Sequence, residues 1–107
     1  DDMASARIYV MNAPLAQYQQ ITVTQPHLNI GTGEEVTIQE LAQLICEVVE
    51  YQGELIFNDQ KPDGTPRKVL DISRLYRLGW QHQISLKKGL AQTYSWYLNH
   101  QGQLRTV

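Results

Sequence analysis

The residues best suited to chemistry lie in a short charged loop at residues 61–68 (KPDGTPRK), which also contains the turn-forming residues proline and glycine. Its charged members are Lys61, Asp63, Arg67 and Lys68. Binding groups concentrate in irregular loops on rigid scaffolds, and adjacent cations suit a phosphate, which arginine can bind through two parallel hydrogen bonds. An ordinary charged surface loop explains the same composition equally well. The loop therefore predicts either an anion site or a solvated turn.

A second candidate is the Gly-Thr-Gly segment at residues 31–33, which follows an expected strand and precedes an expected helix. Such a context is typical of a dinucleotide-binding turn. The third small residue of that fingerprint would fall at Val36, however, and Glu34 and Glu35 would place two negative charges against a pyrophosphate. We therefore interpret the segment as a backbone turn that leads into the helix.

The other reactive side chains are scattered along the chain. The three histidines, at positions 27, 82 and 100, have no second ligand at metal-binding spacing, so no metal site is predicted. Cys46 lies beside the apolar face of an expected helix, which favours a buried structural thiol over a nucleophile. Arg74 and Arg77 lie at helical spacing and are interpreted as a solvated face or as charges at a helix end. No tyrosine is followed by lysine four residues later, so that acid/base pair is absent and no catalytic residue is predicted.

Mixed helical and extended patterns must position these groups. Asp1 and Asp2 suit the positive end of a helix, which predicts a helix from the first residues to about residue 12. Residues 13–26 are expected to form a loop with at most a helical turn. Short strands are expected at residues 27–30 and 54–58, and a short extended piece at residues 69–71.

The clearest local signal is a capping box between Thr37 and Glu40, in which a hydroxyl and a carboxylate bond free amides reciprocally. It predicts a helix whose apolar positions recur at helical spacing. Those positions are Ile38, Leu41, Ala42, Ile45, Val48 and Val49. Ser73 is expected to cap a brief helix that stops at Gly79, and Ser85 is expected to open a last helix.

Length and composition bound the possible functions. A chain of 107 residues is one domain or part of one, and 42% hydrophobic with 19% charged residues is typical of a soluble globular protein with a core. No apolar run reaches the roughly 20 residues of a membrane span. One cysteine excludes a disulfide framework and suggests a reducing compartment, while a net charge of −2 argues against general nucleic-acid binding.

The loop and its continuation, residues 61–75 (KPDGTPRKVLDISRL), closely resemble the C-terminal lobe of the GDP-L-fucose synthase family. These proteins are NADPH-dependent GDP-4-keto-6-deoxymannose epimerase-reductases among the extended short-chain dehydrogenase/reductases. Residues 1–4 (DDMA), 29–33 (NIGTG), 37–38 (TI) with 40–42 (ELA), 78–80 (LGW), 84–86 (ISL) and 89–91 (GLA) also match. The NIGTG turn is shared by many extended members, whereas the KPDGTPRK string is strongly specific.

The resemblance implies an α/β fold class: residues 1–107 are the C-terminal substrate-binding lobe, with helices and a few short strands. It further implies that the complete enzyme binds NADPH on an N-terminal Rossmann domain, where a Ser-Tyr-Lys set, a cysteine and a histidine carry the epimerisation and reduction. None of those residues can be placed in this chain. We therefore expect it to lack the Rossmann domain, to bind no NADPH and to be inactive alone.

The resemblance also assigns the loop a ligand, the GDP-sugar substrate. Lys61, Arg67 and Lys68 would hold its diphosphate, and Asp63 would orient the loop or bind a ribose or base donor. The complete enzyme is expected to be a cytoplasmic homodimer with no nucleic-acid or membrane partner. Two rivals remain: another nucleotide-sugar epimerase or dehydratase, and a non-catalytic binding domain of the same fold. A glycine fingerprint and a Tyr-x-x-x-Lys pair in the preceding sequence would discriminate between these possibilities.

Overall fold

The computed structural model describes residues 1–21 and 27–104, and in these ranges it contains five α-helices and one short 3-10 turn. The helices are α1 (Asp2–Asn12), α2 (Leu15–Ile21), α3 (Ile38–Val49), α4 (Ser73–Arg77) and α5 (Leu86–Asn99), and the 3-10 turn is Gln101–Gln103. The chain divides into two compact units. The first unit comprises Asp1–Glu35 and Asp63–Gln83, and the second comprises Val36–Pro62 and Ile84–Val107.

The first unit is built around a small apolar cluster between α1 and the segment that contains α4. Its buried members are Ala6, Leu75 and Trp80, with Val10, Ile30 and Tyr76 packed against them. Two side-chain hydrogen bonds reinforce the packing. The Trp80 indole Nε1 donates to Ser5 Oγ at 3.2 Å, and the Tyr9 hydroxyl donates to the Leu78 carbonyl at 2.8 Å. Burial of these side chains joins the two ends of the unit, which lie far apart in the sequence.

Helix α1 covers Asp2–Asn12, as predicted. Its acidic first residues mark its beginning, and it ends at the expected position. The following segment differs from the expected loop, because residues 15–21 form helix α2. Leucine, alanine and glutamine are good helix formers. Pro14 directly before the helix is tolerated because the amide that proline lacks would have no hydrogen-bond partner within the helix at this position. The Tyr18 amide donates to the Pro14 carbonyl at 3.1 Å. Residues 22–26 of the expected loop lie outside the described residues.

In the second unit, helices α3 and α5 pack against each other. The predicted capping box of α3 is confirmed: Glu40 N donates to Thr37 Oγ1 at 3.1 Å, and Thr37 N donates to Glu40 Oε2 at 2.7 Å. Ser85 caps α5 as predicted, because its hydroxyl accepts from Lys88 N at 3.3 Å. None of the unit's described residues is buried, and Ile38 is 76% exposed. The apolar face of α3 is therefore only partly covered by α5.

The predicted strands are not confirmed within the described ranges. Residues 27–30, 54–58 and 69–71 lie outside the helices, as expected, but none of them is a strand. A strand exists by pairing its amides and carbonyls with a neighbouring strand, so extended sequence character alone does not produce one. Residues 54–58 are all exposed, and Ile56 is 84% exposed.

Two helix-end predictions have different outcomes. Gly79 follows α4 with a φ of +104°, so its predicted role in stopping that helix is confirmed. Ser73 does not cap α4 but is its first residue, and the position before it is Ile72, whose side chain makes no cap bond. The carboxylate of Asp71 instead accepts from Ser73 N at 2.9 Å. An aspartate side chain can accept a hydrogen bond from the backbone amide two residues later, and here it takes the place of the expected serine cap.

Candidate functional site

The four predicted site residues lie on an irregular loop and are all exposed. The division between the two units falls inside this loop, between Pro62 and Asp63. Lys61 therefore belongs to the second unit, whereas Asp63, Arg67 and Lys68 belong to the first. Of these three, only Arg67 forms an ion pair with another described residue.

That ion pair joins Arg67 to Glu35. The guanidinium Nε of Arg67 donates to Glu35 Oε2 at 3.0 Å, and the two side chains are 74% and 44% exposed. The two terminal nitrogens of Arg67 make no bond to other described residues. Such an exposed pair contributes at most about 1 kcal/mol to stability. Its geometry leaves the end of the guanidinium, with its parallel N–H donors, available to an external anion.

The adjacent carboxylate, Glu34, faces a histidine. Glu34 Oε1 lies 3.7 Å from His82 Nε2, and His82 Nδ1 lies 2.6 Å from the Tyr76 hydroxyl. The two acidic residues that argued against a pyrophosphate therefore have partners in this unit. Neither pairing was predicted. The sequence holds seven acidic and no basic residues at positions 34–59 and seven basic residues at positions 61–88, but charge alone does not assign partners.

The glycines of residues 31–33 are explained by close packing of the backbone. Gly33 has a φ of +76°, and a Cβ at this position would lie 3.1 Å from Cδ1 of Ile72. A Cβ on Gly31 would lie 3.3 Å from Cγ2 of the same isoleucine. The interpretation as a backbone turn is confirmed, since the glycines permit a left-handed conformation and a close approach that larger residues resist.

A polar cleft of about 180 Å³ lies elsewhere in the first unit, lined by His27, Asn29, Asp71 and Arg74. Asn29 Nδ2 donates to the Asp71 carbonyl at 3.2 Å, and Arg74 Nη1 donates to the His27 carbonyl at 3.4 Å. Both of these bonds join a side chain of the cleft to a backbone carbonyl of another cleft residue. Arg74 is half-buried, so it does not lie on a solvated face, whereas Arg77 is exposed. Both arginines lie in the last turn of α4, which agrees with the alternative prediction of helix-end charges.

Two carboxyl groups have lowered pKa values. The pKa of Asp71 is lowered mainly by its hydrogen bonds with Ser73, with smaller contributions from the positive charges of Arg74 and Arg77. The pKa of Glu40 is lowered by its bonds with Thr37 in the capping box. Both effects come mainly from hydrogen bonds that favour the ionised carboxylate over its protonated form. Both carboxyl groups bond residues at the beginning of a helix, so their lowered pKa values do not indicate a catalytic acid.

In the part of the chain that the structure describes, the remaining reactive side chains form no recognisable catalytic set. Cys46 is half-buried on α3, so its thiol is less enclosed than the predicted structural role suggests. His100 stacks on Trp96 with ring centroids 4.4 Å apart, and its Nδ1 lies 2.8 Å from the Trp96 carbonyl oxygen. Among the described residues, no three histidine, cysteine or acidic side chains converge in a way that could hold a metal. None of the described helices is long and apolar enough to cross a membrane.

Comparison with known proteins identifies relatives for nearly the whole chain. It is 54% identical over 108 residues to the GDP-L-fucose synthase of Escherichia coli (strain K12), covering 98% of this chain and 33% of that protein. It is 50% identical to the putative GDP-L-fucose synthase 2 of Arabidopsis thaliana, covering 94% and 28%. The chain thus spans about a third of the length of these relatives. No family model matches it.

A solved structure has the same fold over most of the chain. MlghC, the GDP-mannoheptose C4 reductase from Campylobacter jejuni with NADP bound, superimposes with a TM-score of 0.76 and 36% identity. The match covers 92% of this chain and 29% of that one. The arrangement of helices described above is therefore also present in part of a larger reductase.

Proposed function

Because this chain is homologous to the C-terminal part of the GDP-L-fucose synthases, within the extended short-chain dehydrogenase/reductases, we propose that it is the substrate-binding part of a longer epimerase-reductase. The complete enzyme converts GDP-4-keto-6-deoxymannose to GDP-L-fucose. This chain binds the GDP-sugar, and an N-terminal Rossmann domain carries the catalytic residues. The complete enzyme is a cytoplasmic homodimer.

One observation carries the proposed site: Arg67 is exposed on an irregular loop, and its only bond to another described residue is made through Nε. The two terminal nitrogens of its guanidinium can bind a phosphate through two parallel hydrogen bonds. Lys68 follows directly and adds a flexible point charge, so the two cations match the two phosphates of a nucleoside diphosphate. Asp63, on the same unit, accepts from a ribose hydroxyl or a base N–H. Lys61, which belongs to the second unit, is a further predicted substrate-binding cation.

The residues of this chain do not fit NADPH. The only Gly-x-Gly turn in the sequence packs against Ile72, and the two carboxylates that follow it are engaged with Arg67 and His82. A pyrophosphate at this turn would meet negative charge where a nucleotide-binding turn offers free amides and a helix N-terminus. When bound to the rest of the enzyme, NADPH supplies the hydride. The contribution of this chain is to hold and orient the nucleotide end of the substrate.

The exposed apolar side chains support the view that this lobe packs against further protein. Ile8, Met11 and Leu15 of the first unit are all more than 60% exposed, as are Ile38 and Ile56 of the second. Soluble proteins rarely leave many large apolar side chains uncovered. The remaining part of the enzyme covers them, and it supplies the partner with which residues 54–58 pair as a strand.

The test is steady-state kinetics of the full-length enzyme with Arg67→Ala. Losing one partner of a desolvated charge pair costs about 2–5 kcal/mol, so the apparent KM for the GDP-sugar should rise at least about tenfold. The affinity for NADPH should stay unchanged because the cofactor occupies the other domain. Arg77→Ala is the matched control, since Arg77 is an exposed arginine of the same unit and Arg74 is not. Equal KM values for the two variants would refute the site.

The alternative with a specific observation behind it is a different GDP-sugar reductase. The structural match to a GDP-mannoheptose C4 reductase favours the same nucleotide with another sugar. Assaying the full-length enzyme with both keto sugars distinguishes the two, because the preferred substrate has the higher kcat/KM. The loop assignment is common to both alternatives, since it concerns the diphosphate alone.

A further inference from the structure

Binding a phosphate through Arg67 carries an entropic cost. Arg67 lies on a loop with no regular structure, and its side chain is mostly in solvent. A long side chain that samples many rotamers must be immobilised when a ligand binds, and this loss of conformational freedom weakens binding. A group that holds the guanidinium in place before the ligand arrives would remove part of that cost.

Glu35 is placed to do this. Its Oε2 accepts from Arg67 Nε at 3.0 Å, a contact between residues 32 positions apart. The guanidinium is planar and rigid, so a bond at Nε restricts the orientation of the whole group. It also leaves the opposite edge, with Nη1 and Nη2, for a phosphate.

Glu35 itself follows a backbone turn that is well fixed. Gly33 is held in a left-handed conformation against Ile72, and Glu34 N donates to Thr32 Oγ1 at 3.2 Å. The Glu34 carboxylate lies 3.7 Å from His82 Nε2. The position of Glu35 is therefore set by a packed turn, whereas that of Arg67 is set by an irregular loop. A carboxylate next to a packed turn can therefore restrain a side chain on the irregular loop.

We propose that Glu35 is a positioning residue for substrate binding: its carboxylate holds Arg67 through Nε so that the terminal nitrogens are presented to the diphosphate of the GDP-sugar. The proposal rests on the function proposed above. Charge alone predicts the opposite effect, because a nearby carboxylate lowers the attraction between the loop and an anion. The sign of the mutational effect therefore separates positioning from simple neutralisation.

The experiment measures KM and kcat for GDP-4-keto-6-deoxymannose, and the Kd for GDP, in the full-length enzyme. Glu35→Ala should raise KM and Kd about threefold to tenfold, corresponding to one side chain immobilised on binding, with kcat changed less than about twofold. Glu35→Gln keeps an acceptor oxygen for Nε and should restore both values to within about twofold of the wild type. In an Arg67→Ala background, Glu35→Ala should have no further effect.

The matched control is Glu47→Ala. Glu47 and Lys87 form an ion pair of similar length, 3.1 Å, with similarly exposed side chains, 63% and 66%, on the second unit. Neither variant should shift the urea midpoint appreciably, because exposed pairs contribute little to stability. Unchanged or lowered KM and Kd in Glu35→Ala, with the expected rise in Arg67→Ala, would overturn the positioning role alone. No rise in Arg67→Ala would overturn the proposed site and this role with it.

Discussion

The hydroxyl of Tyr76 lies 2.6 Å from Nδ1 of His82, and the rings of Tyr76 and Trp80 form a T-shaped contact with centroids 6.3 Å apart. A neutral imidazole that carries its proton on Nε2 accepts from the tyrosine at Nδ1 and directs its N–H toward Glu34, 3.7 Å away. Tyr76 thus connects the apolar cluster of the first unit to the turn that precedes Glu35.

Replacing Tyr76 with phenylalanine tests this connection. The ring remains to pack against Trp80, but the hydroxyl loses its bond to His82 and its longer contact with the Thr32 carbonyl, so the free energy of unfolding should fall by about 1 kcal/mol. Urea denaturation measures the change. Tyr94→Phe is the control, because Tyr94 is also half-buried and its ring stacks on Tyr97, a contact that phenylalanine keeps. Equal stability of the two variants would show that the hydrogen bond contributes nothing.

Gly33 provides a second test of the same turn. Alanine at this position must adopt a φ of +76° and place its Cβ 3.1 Å from Ile72, so Gly33→Ala should destabilise the protein by about 1–3 kcal/mol. Gly102→Ala is the matched control, since a Cβ there meets no atom within 4 Å. Thermal unfolding followed by circular dichroism compares the two variants. A neutral Gly33→Ala would mean that the turn relaxes without cost.

The capping box makes the stability of α3 depend on pH. The bonds with Thr37 lower the pKa of Glu40 in the folded state. The unfolded chain therefore takes up the proton more readily, and the stabilisation is present at neutral pH and lost as the pH falls below about 4. Glu40→Gln keeps the acceptor oxygen and removes the titration. Amide exchange of α3 between about pH 6 and pH 3 should accelerate in the wild type more than in the variant after correction for intrinsic rates. Parallel profiles would contradict the assignment.

The chain alone should not bind NADPH. Its Gly-x-Gly turn packs against Ile72 and is followed by two paired carboxylates. Titration of the 107-residue chain into NADPH, followed by nicotinamide fluorescence, should show no saturable change. The full-length enzyme serves as the positive control. Saturable binding at micromolar concentration would contradict the prediction.

Local chemistry in the sequence predicts several helix ends correctly. The acids at the start of α1, the Thr37–Glu40 box of α3, Ser85 before α5 and Gly79 after α4 all act within one turn of the backbone. Signals of this range need no knowledge of the fold. The family resemblance, carried mainly by residues 61–68, is likewise confirmed by relatives at up to 54% identity.

What the sequence did not predict depends on groups that are distant in the chain. The Glu35–Arg67 pair spans 32 positions, and the half-buried place of Arg74 depends on its bond to His27, 47 positions away. Strands at residues 27–30 and 54–58 require a pairing partner, which the described residues do not supply. The binding role of the loop stays a prediction, because exposure and charge are equally compatible with a solvated turn.

The two tryptophans give each unit its own optical reporter. Trp80 is 6% exposed in the cluster of the first unit, with its indole bonded to Ser5, whereas Trp96 on α5 is 53% exposed in the second. A buried indole emits at shorter wavelength and is shielded from iodide, while an exposed one is quenched. Emission resolved by wavelength and by quencher can therefore follow the melting of each unit in the native sequence without any added label.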